Sequence, residues 1–404
     1  MKNILVFFLL FCTALLSAQE LEPKNKADFK LGDGLNFSFN DGDYLFNIGG
    51  FMQPSMNHRR EQDQNSENRF NAKRTFFMIS GKAVNEKVSF LIQNDFALNQ
   101  PILDAWIAYH PYQWLTITGG QKQTFLNNRE MIYREDRLQF TDRGRLSQVF
   151  SNTGREFGLF IESRFGKKFG IAPSIAMTSG DGRNSFGEDS RDPDLGGFKY
   201  GGRLDLYPLG YFTEGNDLYT ADLLHEPKLK ILVGGAVSLN VGASNEVGEG
   251  HGDFFLYNEN GINNLPDYIQ VYADVLMKYQ GFSFLAEYVN ASATNLEGSF
   301  LNQAGTVALQ PQQISQFLVL GDSFSLQGGY VTTTGYSLDL RFEQTTPEFS
   351  DFTNSVLSNS DSYTIGLAKY FDQNNLKIQA SLQQINFEQS PNLTIAEILF
   401  QLTF

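Results

Sequence analysis

One cysteine, Cys12, stands in the 404 residues, and it falls inside the first apolar stretch. Cleavage after Ala18 leaves a chain with none, which excludes disulfides and thiolate metal sites from the mature fold. After Leu16 no run approaches the roughly 18 to 20 apolar residues that a membrane helix needs, so the chain is not a bundle of membrane helices. Apolar residues at three- and four-residue spacing are nearly missing too, which excludes an ordinary helix-rich soluble enzyme. The four histidines, His58, His110, His225 and His251, show no metal-ligand spacing, so no metal and no cofactor is expected. No glycine-rich phosphate cradle and no Ser–His pair with an orienting partner is legible, so no catalytic residues are assigned. With a net charge of −14, no nucleic-acid partner is expected.

At the start, Met1-Lys2-Asn3 is a short cationic head, Ile4 to Leu16 is largely apolar, and Leu16-Ser17-Ala18 offers small residues for cleavage. This is the pattern of a secretory signal peptide over 1–18. A lipoprotein reading at Cys12 fails, because Phe11 is bulky and the apolar run continues past the cysteine.

Beyond it, the chain is rich in Phe (37), Tyr (17) and Gly (37), and short segments alternate polar and apolar residues with period two. Sixteen segments qualify: 44–59, 69–83, 87–97, 103–110, 114–123, 155–165, 169–178, 199–207, 228–241, 268–279, 282–292, 322–333, 335–345, 361–370, 375–388 and 393–404. In 335–345, Tyr336, Leu338, Leu340 and Phe342 fall on one face and Ser337, Asp339, Arg341 and Glu343 on the other. The run Phe76-Phe77-Met78-Ile79 does not resolve by face. Lipid on one side and water on the other demands this alternation in every strand of a membrane barrel, and closure satisfies all backbone hydrogen bonds. The connections support it. Of the eight alternate connections six are nine residues or longer (60–68, 124–154, 179–198, 242–267, 293–321, 346–360) and two, 98–102 and 389–392, are short, while those between are short except 208–227. The sequence thus predicts an all-β, transmembrane antiparallel barrel of about sixteen strands over 44–404. Residues 19–43 are then an N-terminal periplasmic segment, and the third external loop, 124–154, folds into the pore. Ile398, Phe400, Leu402 and Phe404 share one face of the last strand, a terminal aromatic signal for the outer-membrane assembly machinery.

Several motifs in order then resemble the phosphate-selective porin O and P family. They are Arg74 to Gly81 (RTFFMISG), Leu103-Asp104-Ala105-Trp106, Gly154-Arg155-Glu156-Phe157-Gly158, and Arg203-Leu204-Asp205-Leu206-Tyr207-Pro208-Leu209-Gly210. Gly281-Phe282 with Glu287-Tyr288, Gly329-Tyr330 and Arg341-Phe342 follow. The resemblance covers about Gly49 to Phe404 and makes 208–227 a genuine connection. It implies an outer-membrane homotrimer in contact with membrane lipid, whose pore arginines and lysines attract small anions such as phosphate.

Charge locates the candidates. Fourteen of 15 arginines lie between Arg59 and Arg203, where basic residues outnumber acidic ones 21 to 17, whereas 204–404 holds 6 basic and 22 acidic residues. An arginine-bearing constriction can focus an anion-attracting field although the whole protein is acidic. The candidates lining it are Lys122, Arg129, Arg134, Arg137, Arg143, Arg145, Lys199 and Arg203. The competing reading has Glu130, Glu135, Asp136 and Asp142 pairing with them as braces. Asp181, Asp189, Asp192 and Asp194 share one external loop, but their spacing is not that of a calcium loop. A sugar- or peptide-dedicated channel, and a structural, adhesive or enzymatic barrel, are the alternatives to a diffusion pore.

Overall fold

The computed structural model describes residues 25–151, 154–183 and 196–404. The predicted signal peptide and Asp189, Asp192 and Asp194 lie outside the described residues.

Two short strands come first, β1 (Lys26–Lys30) and β2 (Gly34–Phe39). Sixteen longer ones follow: β3 (Tyr44–Glu61), β4 (Glu67–Ala83), β5 (Val88–Asp95), β6 (Ile102–Tyr112), β7 (Leu115–Gln123), β8 (Arg155–Ser163), β9 (Gly170–Thr178), β10 (Lys199–Tyr207), β11 (Lys230–Asn240), β12 (Asp267–Tyr279), β13 (Phe282–Thr294), β14 (Gly321–Val331), β15 (Tyr336–Pro347), β16 (Ser360–Asp372), β17 (Leu376–Phe387) and β18 (Leu393–Thr403). Each pairs antiparallel with the next, and β18 returns to β3 with Ile398 opposite Met56, closing a sixteen-stranded barrel. Closure leaves no sheet edge along the seam, the condition for crossing lipid with strands.

Burial in this barrel is inverted relative to a water-soluble domain. On β15, Leu338 and Leu340 are 51% and 57% exposed, while Asp339 and Arg341 between them are 0% and 5% exposed. The outward row is apolar and exposed, as the lipid face of a membrane barrel is, and the inward row faces a polar interior. The run left open by sequence resolves the same way: Phe76 and Met78 are buried inward, and the Phe76 ring packs 4.3 Å from that of Phe51. The register between β3 and β4 slips at Gln53/Pro54, and both Lys73 and Arg74 reach Asp142 inside the barrel. A bulge is the usual device for re-aiming a side chain in this manner.

Around the rim of short turns, exposed aromatics form a girdle. Tyr112 stacks on Trp114 at 5.4 Å, Trp114 packs on Phe165 at 5.1 Å, and Phe282 on Tyr330 at 4.4 Å. Such belts mark a membrane–water boundary.

Two segments behave differently from a plain sixteen-strand reading. Residues 26–39 are not a separate tail: β2 pairs with β3 from Leu35↔Ile48 to Phe39↔Tyr44, and β1 pairs with β2. The long connection 208–227 turns into the lumen, where Lys278 Nζ donates to the carbonyls of Asn216 and Tyr219. Its Phe212 packs against Leu232, Leu276 and Leu285 of the wall, and Ala221 against Val331, Ala368 and Tyr370.

Candidate functional site

Segment 124–151 supplies most of the interior chemistry. Its base is stapled where Thr124 N–H and Asn127 Nδ2 both donate to the Gly154 carbonyl, at 2.9 and 3.2 Å. Phe125 and Leu126 pack on Phe160 and Ala176, which ties the first residues to β8 and β9. Two short helices follow, Arg129–Ile132 and Arg145–Phe150.

From there the segment meets inward side chains of strand after strand. Asn128 Nδ2 and Glu130 N–H donate to Glu287 of β13. Gln139 donates to Asp339 of β15, and Gln379 of β17 donates to the carbonyls of Leu138 and Gln139. Thr141 N–H reaches Ser381 on the same strand at 3.2 Å. Towards the rim of long loops, Leu146 and Phe150 join a buried cluster with Tyr268, Tyr272, Leu256 and Leu318. The β11–β13 side of the lumen is therefore packed by two apolar clusters, with a charged layer between.

That layer contains most of the predicted residues. Arg129 pairs with Asp205 and, at 2.9 Å, with Asp274; Arg203 pairs with the same two carboxylates and donates to the Asn127 carbonyl. Arg134 forks onto both oxygens of Asp136 at 2.6 and 2.8 Å. Arg137 lies 4.0 Å from Asp136 with its guanidinium 5.8 Å from the Tyr219 ring, so the loop and connection 208–227 meet there. Arg143 donates to the carbonyls of Glu130 and Tyr133 and pairs with Glu135 at 3.3 Å. Arg145 lies over the Phe387 ring and donates to Ser360. Lys122 pairs with Glu162, and Lys199 with Glu156, both outside this cluster.

Electrostatics within the loop follow the pairing. Burial pushes the Glu135 carboxyl up, but the guanidinium groups of Arg155 and Arg143 outweigh it and hold it well below its usual 4.5. Asp142 is likewise raised by burial and held low by Lys73 and Arg74. Burial, with the neighbouring Arg134 charge, lowers Arg137, and burial lowers Arg145.

Open space remains along β3–β8. On one side of the loop a cavity of about 320 Å³ is lined by Lys73, Arg74, Asp95, Glu135, Asp142, Arg143, Arg155 and Arg183. Among the described residues, Nη1 of Arg183 is buried without a hydrogen-bond partner. Burial and the Arg155 charge lower its pKa. On the other side, nearer the short turns, a second cavity of about 490 Å³ is lined by Asn36, Asn47, Ser80, Lys82, Leu91 and Trp106. Sequence reasoning placed Arg74 and Arg155 in family-like motifs but not in the site, and it passed over Lys73 and Arg183. The polar face of β4 was the available signal for the first of these; nothing local marks Arg183.

Other chemistry is sparse. Ser89 Oγ lies 2.8 Å from His110 Nε2, a pair that sequence reasoning did not find, but His110 Nδ1 faces Thr116 rather than a carboxylate. Asp181, once weighed for calcium, faces His251. Among the described residues no group of His, Cys, Asp or Glu is placed to hold a metal.

No protein-family profile and no curated protein matches the sequence. Solved structures do. The outer membrane channel DcaP of Acinetobacter baumannii aligns with a TM-score of 0.56 at 11% identity, over 89% of this chain and 97% of that one. OprB of Pseudomonas putida aligns at 0.54 and 11% identity, over 89% and 94%. In-vitro folded OmpT of Vibrio cholerae, an outer membrane protein, aligns at 0.52 and 11%, over 90% and 98%. At such identities the shared property is the fold, a closed barrel of the outer-membrane type.

Proposed function

We propose that this protein is an outer-membrane porin, a water-filled channel for small hydrophilic solutes with a preference for anions. The observation that carries the reading is the charged cavity between the 124–151 segment and β4–β8. Its lining sets five cations (Lys73, Arg74, Arg143, Arg155, Arg183) against three carboxylates (Asp95, Glu135, Asp142). A sixteen-strand barrel is too wide for wall side chains to fill, so an inward loop sets the aperture. With the β11–β13 side packed, solutes follow the β3–β8 wall through the two cavities. Lys73 also pairs with Glu397 and Arg155 with Asp104, so the field there rests on Arg183, and confinement beside low-dielectric walls strengthens it. Arginine forks suit phosphate and carboxylate oxygens.

The predicted arginines and lysines then divide into two roles. Arg129, Arg134, Arg203, Lys122 and Lys199 each face a carboxylate and brace the interior, while Arg143, itself paired with Glu135, lines the cavity, and Arg137 and Arg145 lie outside its lining. The porin reading carries with it a homotrimer in membrane lipid, secretion by the signal peptide, insertion by the assembly machinery at the last strand, and phosphate as a candidate anion. A sugar-dedicated channel is the second reading, favoured by Trp106 in the lower cavity.

Planar-bilayer recording of the purified protein in a potassium chloride gradient tests this. The reversal potential should show chloride preferred over potassium, and added phosphate should reduce the chloride current. A cation-selective reversal potential overturns the anion preference. Current blocked by a neutral oligosaccharide and indifferent to phosphate favours the second reading. Absence of any conductance from folded protein overturns the channel itself.

A further inference from the structure

The hairpin β1–β2 continues the barrel wall at the end of the seam. Gly32 N–H donates to the Thr403 carbonyl at 3.1 Å, and Asn375 Nδ2 to the Leu31 carbonyl at 3.4 Å, so the hairpin turn abuts β18 and the turn before β17. β2 meanwhile pairs with the part of β3 that extends past the end of β18.

Register carries the two faces of the barrel into this hairpin. On β3, Phe46 shares the outward face with Met52 and Met56, which are 46% and 41% exposed. Phe37 lies opposite Phe46, Phe39 opposite Tyr44, and Phe29 opposite Leu35. Phe29, Leu35, Phe37 and Phe39 are therefore outward, and Asp28, Asn36 and Ser38 inward. The three inward residues line the lower cavity. Outward, Phe29 is 63% exposed, and the rings of Phe37 and Phe39 stack at 6.3 Å. Burying each such side chain away from water is favourable. A tail resting in water would forgo that gain several times over.

We propose that the outward face of β1–β2 is embedded in the periplasmic leaflet of the membrane, making the N-terminal hairpin a lipid-anchored part of the wall. The occupant is lipid because the hairpin's apolar face is continuous, in register and in sense of alternation, with the outward face of the barrel. It ends at the same rim as the girdle of Tyr112, Trp114 and Phe165. The inference rests on the outer-membrane reading above and extends the lipid contact to a segment that sequence placed in the periplasm.

Tryptophan quenching tests it in the full, heat-modifiable protein reconstituted into vesicles. A Trp106→Phe, Trp114→Phe background removes both native tryptophans. Single reporters are then placed by Phe29→Trp, by Leu340→Trp on the barrel's outward face, and by Ser38→Trp on the hairpin's inward face. Phosphatidylcholine brominated near the headgroup end of the acyl chain should reduce the Phe29→Trp and Leu340→Trp emission at least about twofold, and leave Ser38→Trp unchanged. Quenching of Leu340→Trp without Phe29→Trp overturns the hairpin proposal and leaves the barrel reading intact. In that case access of aqueous iodide to the Phe29→Trp reporter means a water-exposed tail, and shielding from iodide means a second copy of the chain. Failure of bromine to reach Leu340→Trp overturns the outer-membrane reading itself.

Discussion

Arg341 donates through Nη1 to Oε1 of Glu130 at 2.7 Å, a buried ion pair that ties the wall strand β15 to the first helix of the inward loop. Glu130 also accepts from Ser147 Oγ and Gly144 N–H, both at 2.7 Å, so one carboxylate holds both helices of the loop against one strand. The loop's shape depends on this contact more than on its own short helices, which are too brief to persist alone.

Arg341→Met should therefore release the loop. Removing one member of a buried pair leaves the other uncompensated and costs about 3–5 kcal/mol. Single-channel recordings should show a larger, noisier conductance, and denaturant unfolding of the loop-containing barrel should begin earlier. An unchanged conductance would mean that this pair does not set the aperture.

Arg183→Glu and Arg129→Met should separate selectivity from bracing. Arg183 lines the open cavity, whereas Arg129 is buried against Asp205 and Asp274. The first substitution reverses a charge beside the proposed solute path and should shift the reversal potential toward cations. The shift should be strongest at low salt, since screening acts within about 10 Å at 0.1 M. The second should lower stability by several kcal/mol with a smaller effect on selectivity. Equal selectivity shifts from both would contradict this division of roles.

Acid should leave the loop intact until well below neutrality. Glu135 and Asp142 are both held below their usual values of 4.5 and 3.8 by neighbouring cations. A depressed carboxylate contributes stability that is fully present above its unfolded pKa and is lost as pH falls through the folded one. The share of thermal stability that these two carboxylates supply should thus be fully present above about pH 5 and be lost as pH falls below about 4. Arg155→Met removes the largest charge holding Glu135 low, so Glu135 should protonate at higher pH in the folded protein and the loss of stability on acidification should be smaller.

Deleting Phe404 should prevent assembly. Its N–H and carbonyl exchange hydrogen bonds with Gly50 at 2.9 and 2.8 Å, sealing the last strand to β3. Gly50 sits close under the Phe404 ring, so the terminal residue both closes the seam and covers it. The folded, heat-modifiable species should disappear from the outer-membrane fraction. Normal yield would show that β18 pairs without its terminal residue.

An epitope between Glu259 and Asn260, both exposed in the long connection 242–266, should be labelled on intact cells, and one at Lys167 should not. Loop insertions there cost little beyond closure entropy. The opposite pattern would invert the barrel in the membrane.

By itself the sequence determined the sixteen barrel strands and, in those that alternate cleanly, which residues face out, while the face of Phe76 to Ile79 came only with the structure. Lipid and water on opposite sides impose a period of two that each strand must obey locally, as Tyr336 to Glu343 does. It also determined the alternation of long and short connections, and the place of Ile398, Phe400, Leu402 and Phe404 on one face. The tertiary structure decided what the interior charges do. Whether Arg129 and Arg203 face solute or carboxylate depends on Asp274, 145 and 71 residues away in the chain, and no local pattern carries that distance. The same holds for Arg183, brought beside Lys73 and Arg74 only by closure of the barrel. The hairpin at 26–39 shows the intermediate case. Phe29, Leu35, Phe37 and Phe39 alternate as clearly as any strand, yet strands of five and six residues are too short to span a membrane alone. Only their pairing to the end of β3 makes them part of the wall.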